Sequence, residues 1–210
     1  MPPVPVLTFD RGARSVDDPG SLWVVVNKQR PLGPSDYAPP DLVTVPVPHT
    51  WQPQLRQEAS AAAVAMFAAA REEAGLNLAS NSAYRGFAAQ TRVYDAAVAA
   101  RGIGSADSSI ARPGSSEHQT GLALDVGAES GRCSLNACFG DTPEGVWLAD
   151  NAVRFGFLLR YPADKVAVTG YEFEPWHFRF IGADLAAQME TVGVTTLEEF
   201  FGFPAAPGYP

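Results

Sequence analysis

Proline and glycine, 18 and 19 of 210 residues, are scattered along the whole chain, and this limits more than any other feature what it can fold into. Each proline fixes φ and removes a backbone donor, and each glycine favours a turn, so short elements joined by many turns are expected. The longest apolar runs are a few residues, far below the ~20 that a membrane-spanning helix needs. A hydrophobic share of 46% still supplies one sizeable core, and no internal repeat divides the chain. The charge balance, 15 Lys+Arg against 23 Asp+Glu, argues against nucleic acid as a partner, because phosphate binding relies on clustered cations. A small or peptide-like ligand suits an acidic chain better. One domain over 21–203 is expected, with an arm over 1–20 and a tail over 204–210.

Local patterns define the elements. Leu22-Trp23-Val24-Val25-Val26 reads as a strand inside a wrapping N-terminal arm, followed by irregular chain set by Pro31, Pro34, Pro39, Pro40, Pro46 and Pro48. The spacing Leu55, Ala59, Ala62, Met66, Ala70, Ala74 predicts a helix that Gly75 stops, and a second helix runs from Phe87 to Arg101, ended by Gly102. Between them Leu76 to Ser80 alternates like a strand. Leu122, Leu124 and Val126 alternate with Ala123, Asp125 and Gly127, so one face is aliphatic and the other carries a carboxylate. Thr142-Pro143-Glu144 opens a third helix that Gly156 closes; Phe157 to Leu159 and Trp176 to Phe180 read as strands, with short helices near Leu185–Met189 and Leu197–Phe201. The fold class is α+β: a small, mostly antiparallel sheet flanked by helices.

The start, Met1-Pro2-Pro3-Val4-Pro5, lacks a basic leader and an apolar stretch, which taken literally indicates the cytoplasm. Cys133 and Cys138 point the other way. They stand five apart in a Gly/Ser/Asn-rich segment where a loop can join two thiols; free thiols, or a two-cysteine metal site lacking further donors, are the alternatives. A disulfide implies an exported, extracytoplasmic or cell-wall-associated protein whose signal or anchor has been trimmed away.

Only three histidines occur, and two have specific surroundings. A turn at Gly121 brings His118 back beside Asp125, and His177 lies on a strand whose alternation separates it, with Arg179, from Trp176 and Phe178. Two imidazoles and a carboxylate suit zinc, and a catalytic zinc keeps a fourth position for water. Glu174, held extended by Pro175, is then the candidate general base. The helical His-Glu-x-x-His arrangement is absent, so the ligands are spread over about sixty residues.

Three blocks carry a resemblance to a known family: Ser82-Ala83-Tyr84-Arg85 with Gln90 downstream, Arg112-Pro113-Gly114-Ser115-Ser116-Glu117-His118 through Asp125, and Glu174-Pro175-Trp176-His177. Together they resemble the zinc D,D-carboxypeptidases typified by VanY, a group whose metal site is shared with hedgehog-like domains and D-Ala-D-Ala dipeptidases. The resemblance runs from about Leu22 to Gly182, with Val25 to Lys28 and Asp36 to Leu42 adding to it. It implies that His118, Asp125 and His177 bind Zn2+, that Glu174 is the base, and that Arg85 steadies the oxyanion. Gln90 and Ser116 would hold the terminal carboxylate or a backbone amide, and Tyr84 would line the pocket. The implied substrate is the peptidoglycan stem peptide and the implied reaction is removal of terminal D-Ala; an L,D-carboxypeptidase, an endopeptidase on the same polymer and a non-catalytic zinc-containing binding module are the alternatives. The oligomeric state is left open.

Simpler roles stand beside these. His49 reads as structural, Arg85 as a possible ion-pair partner, Glu198-Glu199 as a solvated helix face, and the four tryptophans as core.

Overall fold

The structure, a computed structural model, describes residues 9–210; the first eight residues of the expected arm lie outside it. Strands β1 (Leu42–Thr44) and β2 (Gln54–Arg56) form a small antiparallel ribbon. It leads into α1 (Gln57–Ala74), which buries Ala59, Ala63, Met66, Phe67 and Ala70 and ends at Gly75, as the periodicity predicts. Alanines at most contact positions let this helix lie close to its neighbours. Leu55, expected as the first helical contact, instead points inward from β2 and is fully buried.

The central sheet has the order β3-β4-β6-β5, all antiparallel. Its strands are β3 (Leu78–Ser82), β4 (Ala123–Ala128), β5 (Phe157–Leu159) and β6 (His177–Phe180). Leu122, Leu124 and Val126 are fully buried in the core, so Asp125 emerges on the opposite face. Helix α2 (Phe87–Arg101) has the expected bounds, and the short α3 (Ile103–Asp107) follows it. In α4 (Pro143–Asn151) the Thr142 hydroxyl accepts the Gly145 N–H at 3.1 Å, the cap that Thr-Pro-Glu foretells. Then come α5 (Val166–Thr169), α6 (Ala183–Val192) and α7 (Leu197–Phe201). Among the described residues no helix is long and apolar enough to cross a membrane.

Three expectations are corrected. Leu22 to Val26 is buried but is not a strand: the carbonyls of Leu22 and Val24 accept hydrogen bonds from Arg179 Nη2 at 3.0 and 2.9 Å, so a guanidinium takes the place of a neighbouring strand. Glu198 is not solvated. It is fully buried, and Arg160 donates to both of its carboxylate oxygens at 3.0 and 2.7 Å. Trp51 is not core; it is 75% exposed on the loop before β2, whereas Trp23 is buried and donates through Nε1 to the Ile181 carbonyl. His49 has its expected structural role, with Nδ1 2.8 Å from the Val47 carbonyl. The tail packs back on the body: the Ala206 N–H donates to Val168 O at 2.7 Å, and the Tyr209 hydroxyl accepts the Arg112 N–H at 2.7 Å.

The arm, sheet and α7 meet in one buried charge network. Glu117 Oε1 accepts from Arg160 Nε and Arg179 Nη1, both at 2.9 Å, and Arg160 continues to Glu198, which also accepts from Asn27. Two guanidiniums balance two carboxylates. Burial alone would raise the Glu117 carboxyl, but Arg160 and Arg179 reverse this and hold it well below its ordinary 4.5. A depressed folded-state pKa gives stabilisation that is complete above about 4.5 and is lost as pH falls below it. Glu117→Gln is therefore expected to cost about 3–5 kcal/mol at neutral pH, because it leaves buried cations under-compensated. Thermal melting from pH 7 down to 3 should show a shallower acid slope for the variant than for the parent; parallel slopes would contradict this account.

Candidate metal centre and active site

Antiparallel pairing places Asp125 of β4 directly opposite His177 of β6. His118 reaches the same point from a 3₁₀ turn, Glu117–Thr120, that ends at Gly121. Gly121 has φ +67°, and a Cβ there would come within 2.8 Å of Leu42 Cδ2, so this reversal depends on glycine. His118 Nε2 lies 3.3 Å from Asp125 Oδ2, and His177 Nδ1 lies 3.2 Å from Asp125 Oδ1. All three side chains are buried, and their nearest donor atoms lie within 4.8 Å of one another.

The opposite edges of both rings are already occupied. His118 Nδ1 is 2.7 Å from the Ala83 carbonyl, and His177 Nε2 is 3.4 Å from Glu117 Oε2. Those acceptors fix the ring protons there, which turns the lone pairs of His118 Nε2 and His177 Nδ1 toward the gap beside Asp125. Among the described residues Asp125 Oδ1 is fully enclosed with no hydrogen-bond donor, and the nitrogen 3.2 Å away, His177 Nδ1, presents a lone pair to it. An unpaired buried carboxylate oxygen beside two imidazole lone pairs is costly unless a cation joins them. Two imidazoles and one carboxylate are a donor set for zinc, and these are the three residues expected from the sequence.

Glu174 and Arg85 flank this centre. Glu174 is 8% exposed, and its Oε2 lies 3.7 Å from His177 Nδ1. Burial, opposed by His177, pushes its carboxyl up to about 8. Among the described residues Arg85 forms no salt bridge and its buried Nε has no partner, and Asp125 and Glu174 are the carboxylates it senses. The ion-pair role for Arg85 is thus not what the structure shows, and an uncommitted guanidinium faces the cleft instead. The cleft encloses about 490 Å³, with Ser116, Tyr161, Tyr171 and Trp176 among its walls. Cys133 and Cys138 are bridged, and the loop they close brings Leu135, Asn136 and Ala137 to the rim.

Arg85, Ser116, His118, Asp125, Glu174 and His177 therefore converge on one cleft, whereas Tyr84 and Gln90 do not line it. Gln90 is fully buried and donates through Nε2 to the Ala111 carbonyl at 2.6 Å, bracing the wall from behind rather than facing a ligand. Tyr84 is half-buried, with its hydroxyl against Gly86. Trp176, expected as core, is half-buried and stands in the wall. Sequence reasoning missed Glu117, the residue that fixes the His177 ring. The available signal was a pair of arginines in apolar strand surroundings, Arg160 after Phe157-Leu158-Leu159 and Arg179 between Phe178 and Phe180, since buried guanidiniums require carboxylates.

A buried donor set with a carboxylate and a free guanidinium beside it defines a hydrolytic metal site, and comparison with known proteins agrees. The family model for VanY, described as D-alanyl-D-alanine carboxypeptidase, matches residues 52–183. The chain belongs to this family and is a carboxypeptidase. It is 40% identical over 195 residues to the putative carboxypeptidase YodJ of Bacillus subtilis (strain 168), covering 90% of this chain and 70% of that protein. Among solved structures it resembles the LD-carboxypeptidase LdcB, with a TM-score of 0.81 and 41% identity over 88% of this chain and 87% of that one. It also resembles a Zn(II) complex of the D,D-pentapeptidase VanY from a VanB-type resistance cassette, with a TM-score of 0.70 and 31% identity over 85% and 97% of the two chains.

A preformed metal site makes stability depend on the ion. Adding zinc to metal-stripped protein at about 100 times the dissociation constant should stabilise it by ~2.7 kcal/mol, read as a rise in Tm. In His118→Ala the rise should disappear and the bound zinc per chain should fall well below one by elemental analysis. An undiminished shift would remove His118 from the ligand set.

Proposed function

We propose that the chain is a zinc-dependent peptidase that removes the C-terminal residue from the stem peptide of peptidoglycan, with terminal D-Ala as the leaving residue. Its donor set supports this, and so do the names of its relatives, which include a D,D-pentapeptidase and an LD-carboxypeptidase tied to peptidoglycan recognition. Such a substrate lies outside the cytoplasm, in keeping with the bridged cysteines.

The carrying observation is the juxtaposition of Glu174 with the three buried donors. Zinc held by His118, Asp125 and His177 would supply a Lewis acid and lower the pKa of a bound water. Glu174 then acts as the base, accepting a proton on its carboxylate and later delivering it to the departing amine. Cation binding beside Glu174 favours its charged form, which counters the effect of burial and readies it to accept that proton. Arg85 directs its guanidinium at the charge that develops on the carbonyl oxygen, a stabilisation greater in the transition state than in the ground state. Ser116 would bind the peptide, a role supported by its position in the cleft wall.

Glu174→Gln should retain zinc while kcat falls by about 10²–10⁴, and Arg85→Ala should lower kcat by about 10²–10³. Native turnover by zinc-loaded Glu174→Gln would refute the mechanism. Mass spectrometry of products from stem peptides ending in D-Ala-D-Ala, or in a single D-Ala, separates D,D- from L,D-cleavage. Loss of one D-Ala from the first peptide is the expected result; release only from the second would make the enzyme an L,D-carboxypeptidase.

A further inference from the structure

Among the charged side chains that line the cleft, Arg85, Glu117, Asp125 and Glu174 have roles at its floor, but Arg101 and Glu172 do not. Arg101 is the last residue of α2, and Glu172 stands two residues ahead of Glu174. Both are exposed, and among the described residues neither is in a salt bridge. Each is held by a neutral hydroxyl on the loop after α3. Arg101 Nη2 donates to Ser109 Oγ at 2.8 Å, and Ser108 Oγ lies 3.0 Å from Glu172 Oε1 and equally 3.0 Å from the Ser105 carbonyl, which share its one proton. The Glu172 backbone N–H also donates to the Ser108 carbonyl at 3.1 Å.

Adjacent serines thus station one cation and one anion on the same wall, oriented by hydrogen bonds but uncompensated in charge. Leu135, Asn136 and Ala137, which also line the cleft, are uncharged. Residues two apart are separated by at most about 7 Å along the backbone, so Glu172 lies within roughly two peptide units of the catalytic carboxylate. A substrate side chain near the scissile bond therefore meets a stretch of wall bearing both signs.

We propose that Arg101 and Glu172 select a substrate residue, on the amino side of the scissile bond, whose side chain ends in a free amino-acid head with ammonium and carboxylate on one carbon. This rests on the peptidase reading above. A lone ammonium satisfies Glu172 but faces Arg101 with like charge, and a lone carboxylate has the converse mismatch; the zwitterion satisfies both. The two residues determine specificity and take no part in the proton transfers.

The test uses zinc-loaded full chain and three stem peptides that differ only in the third residue: L-lysine, meso-2,6-diaminopimelate, and the latter with its side-chain carboxylate amidated. Product formation is followed by mass spectrometry. Wild type is expected to favour the diaminopimelate peptide about two- to fivefold over each of the others in kcat/KM, the scale of one exposed ion pair. Arg101→Gln should abolish the preference for carboxylate over carboxamide, and Glu172→Gln should lower kcat/KM for all three peptides through KM, since each carries the ammonium. Equal cleavage of the three peptides by wild type, or an Arg101→Gln variant that keeps the carboxylate preference, would overturn the inference and leave the peptidase assignment standing. Failure of wild type to cleave any of them would overturn both.

Discussion

A carboxylate shut away from water must be compensated, and the way Glu117 meets that requirement organises much of the molecule. Its two oxygens face Arg160 and Arg179 on one side and His177 Nε2 on the other. Arg179 in turn binds the carbonyls of the N-terminal arm, and Arg160 binds Glu198 of α7. One residue next in sequence to His118 thereby joins the arm, two strands and a C-terminal helix to the ring of the other histidine. The orientation of His177 is inherited from the core rather than set by the cleft, which is how outer contacts normally hold a metal ligand in place.

The floor and rim of the cleft are built differently. At the floor the donors are buried, Asp125 and His177 are opposed in register across β4 and β6, and each histidine ring has a contact on its outer edge. At the rim the exposed residues are Leu135, Asn136 and Ala137 of the disulfide-closed loop, Arg101 at the end of α2, and Glu172. Chemistry that tolerates little displacement stands on the buried sheet and the turn packed against it, while the exposed wall around it is free to vary.

Much of the scaffold was legible because its signals are local. Glycines mark the ends of α1 and α2, a hydroxyl caps α4, and alternation on β4 put Asp125 opposite the aliphatic face. The strand expected at Leu22 to Val26 failed for a non-local reason: hydrophobic and β-branched residues suit any buried extended chain, and only Arg179, more than 150 positions away, decides that its carbonyls are not paired to a strand. Glu198 escaped for the same reason, since nothing near it in sequence announces Arg160. Gln90 has the spacing of a ligand contact, yet its amide is committed to the Ala111 carbonyl behind the wall.

The sequence by itself determined which atoms are available for chemistry: two imidazoles in distinctive surroundings, a strand carboxylate, a second carboxylate fixed by the following proline, and an arginine after a tyrosine. Side-chain chemistry and short-range backbone preference are properties of residues and their immediate neighbours, so they survive in one dimension. Which nitrogen of each histidine faces the ion, which carboxylate oxygen is left without a partner, and which charged groups are free at the rim were decided only by the tertiary structure. Hydrogen-bond partners and burial depend on groups distant in the chain, and a donor commits its proton only once folding has placed an acceptor beside it.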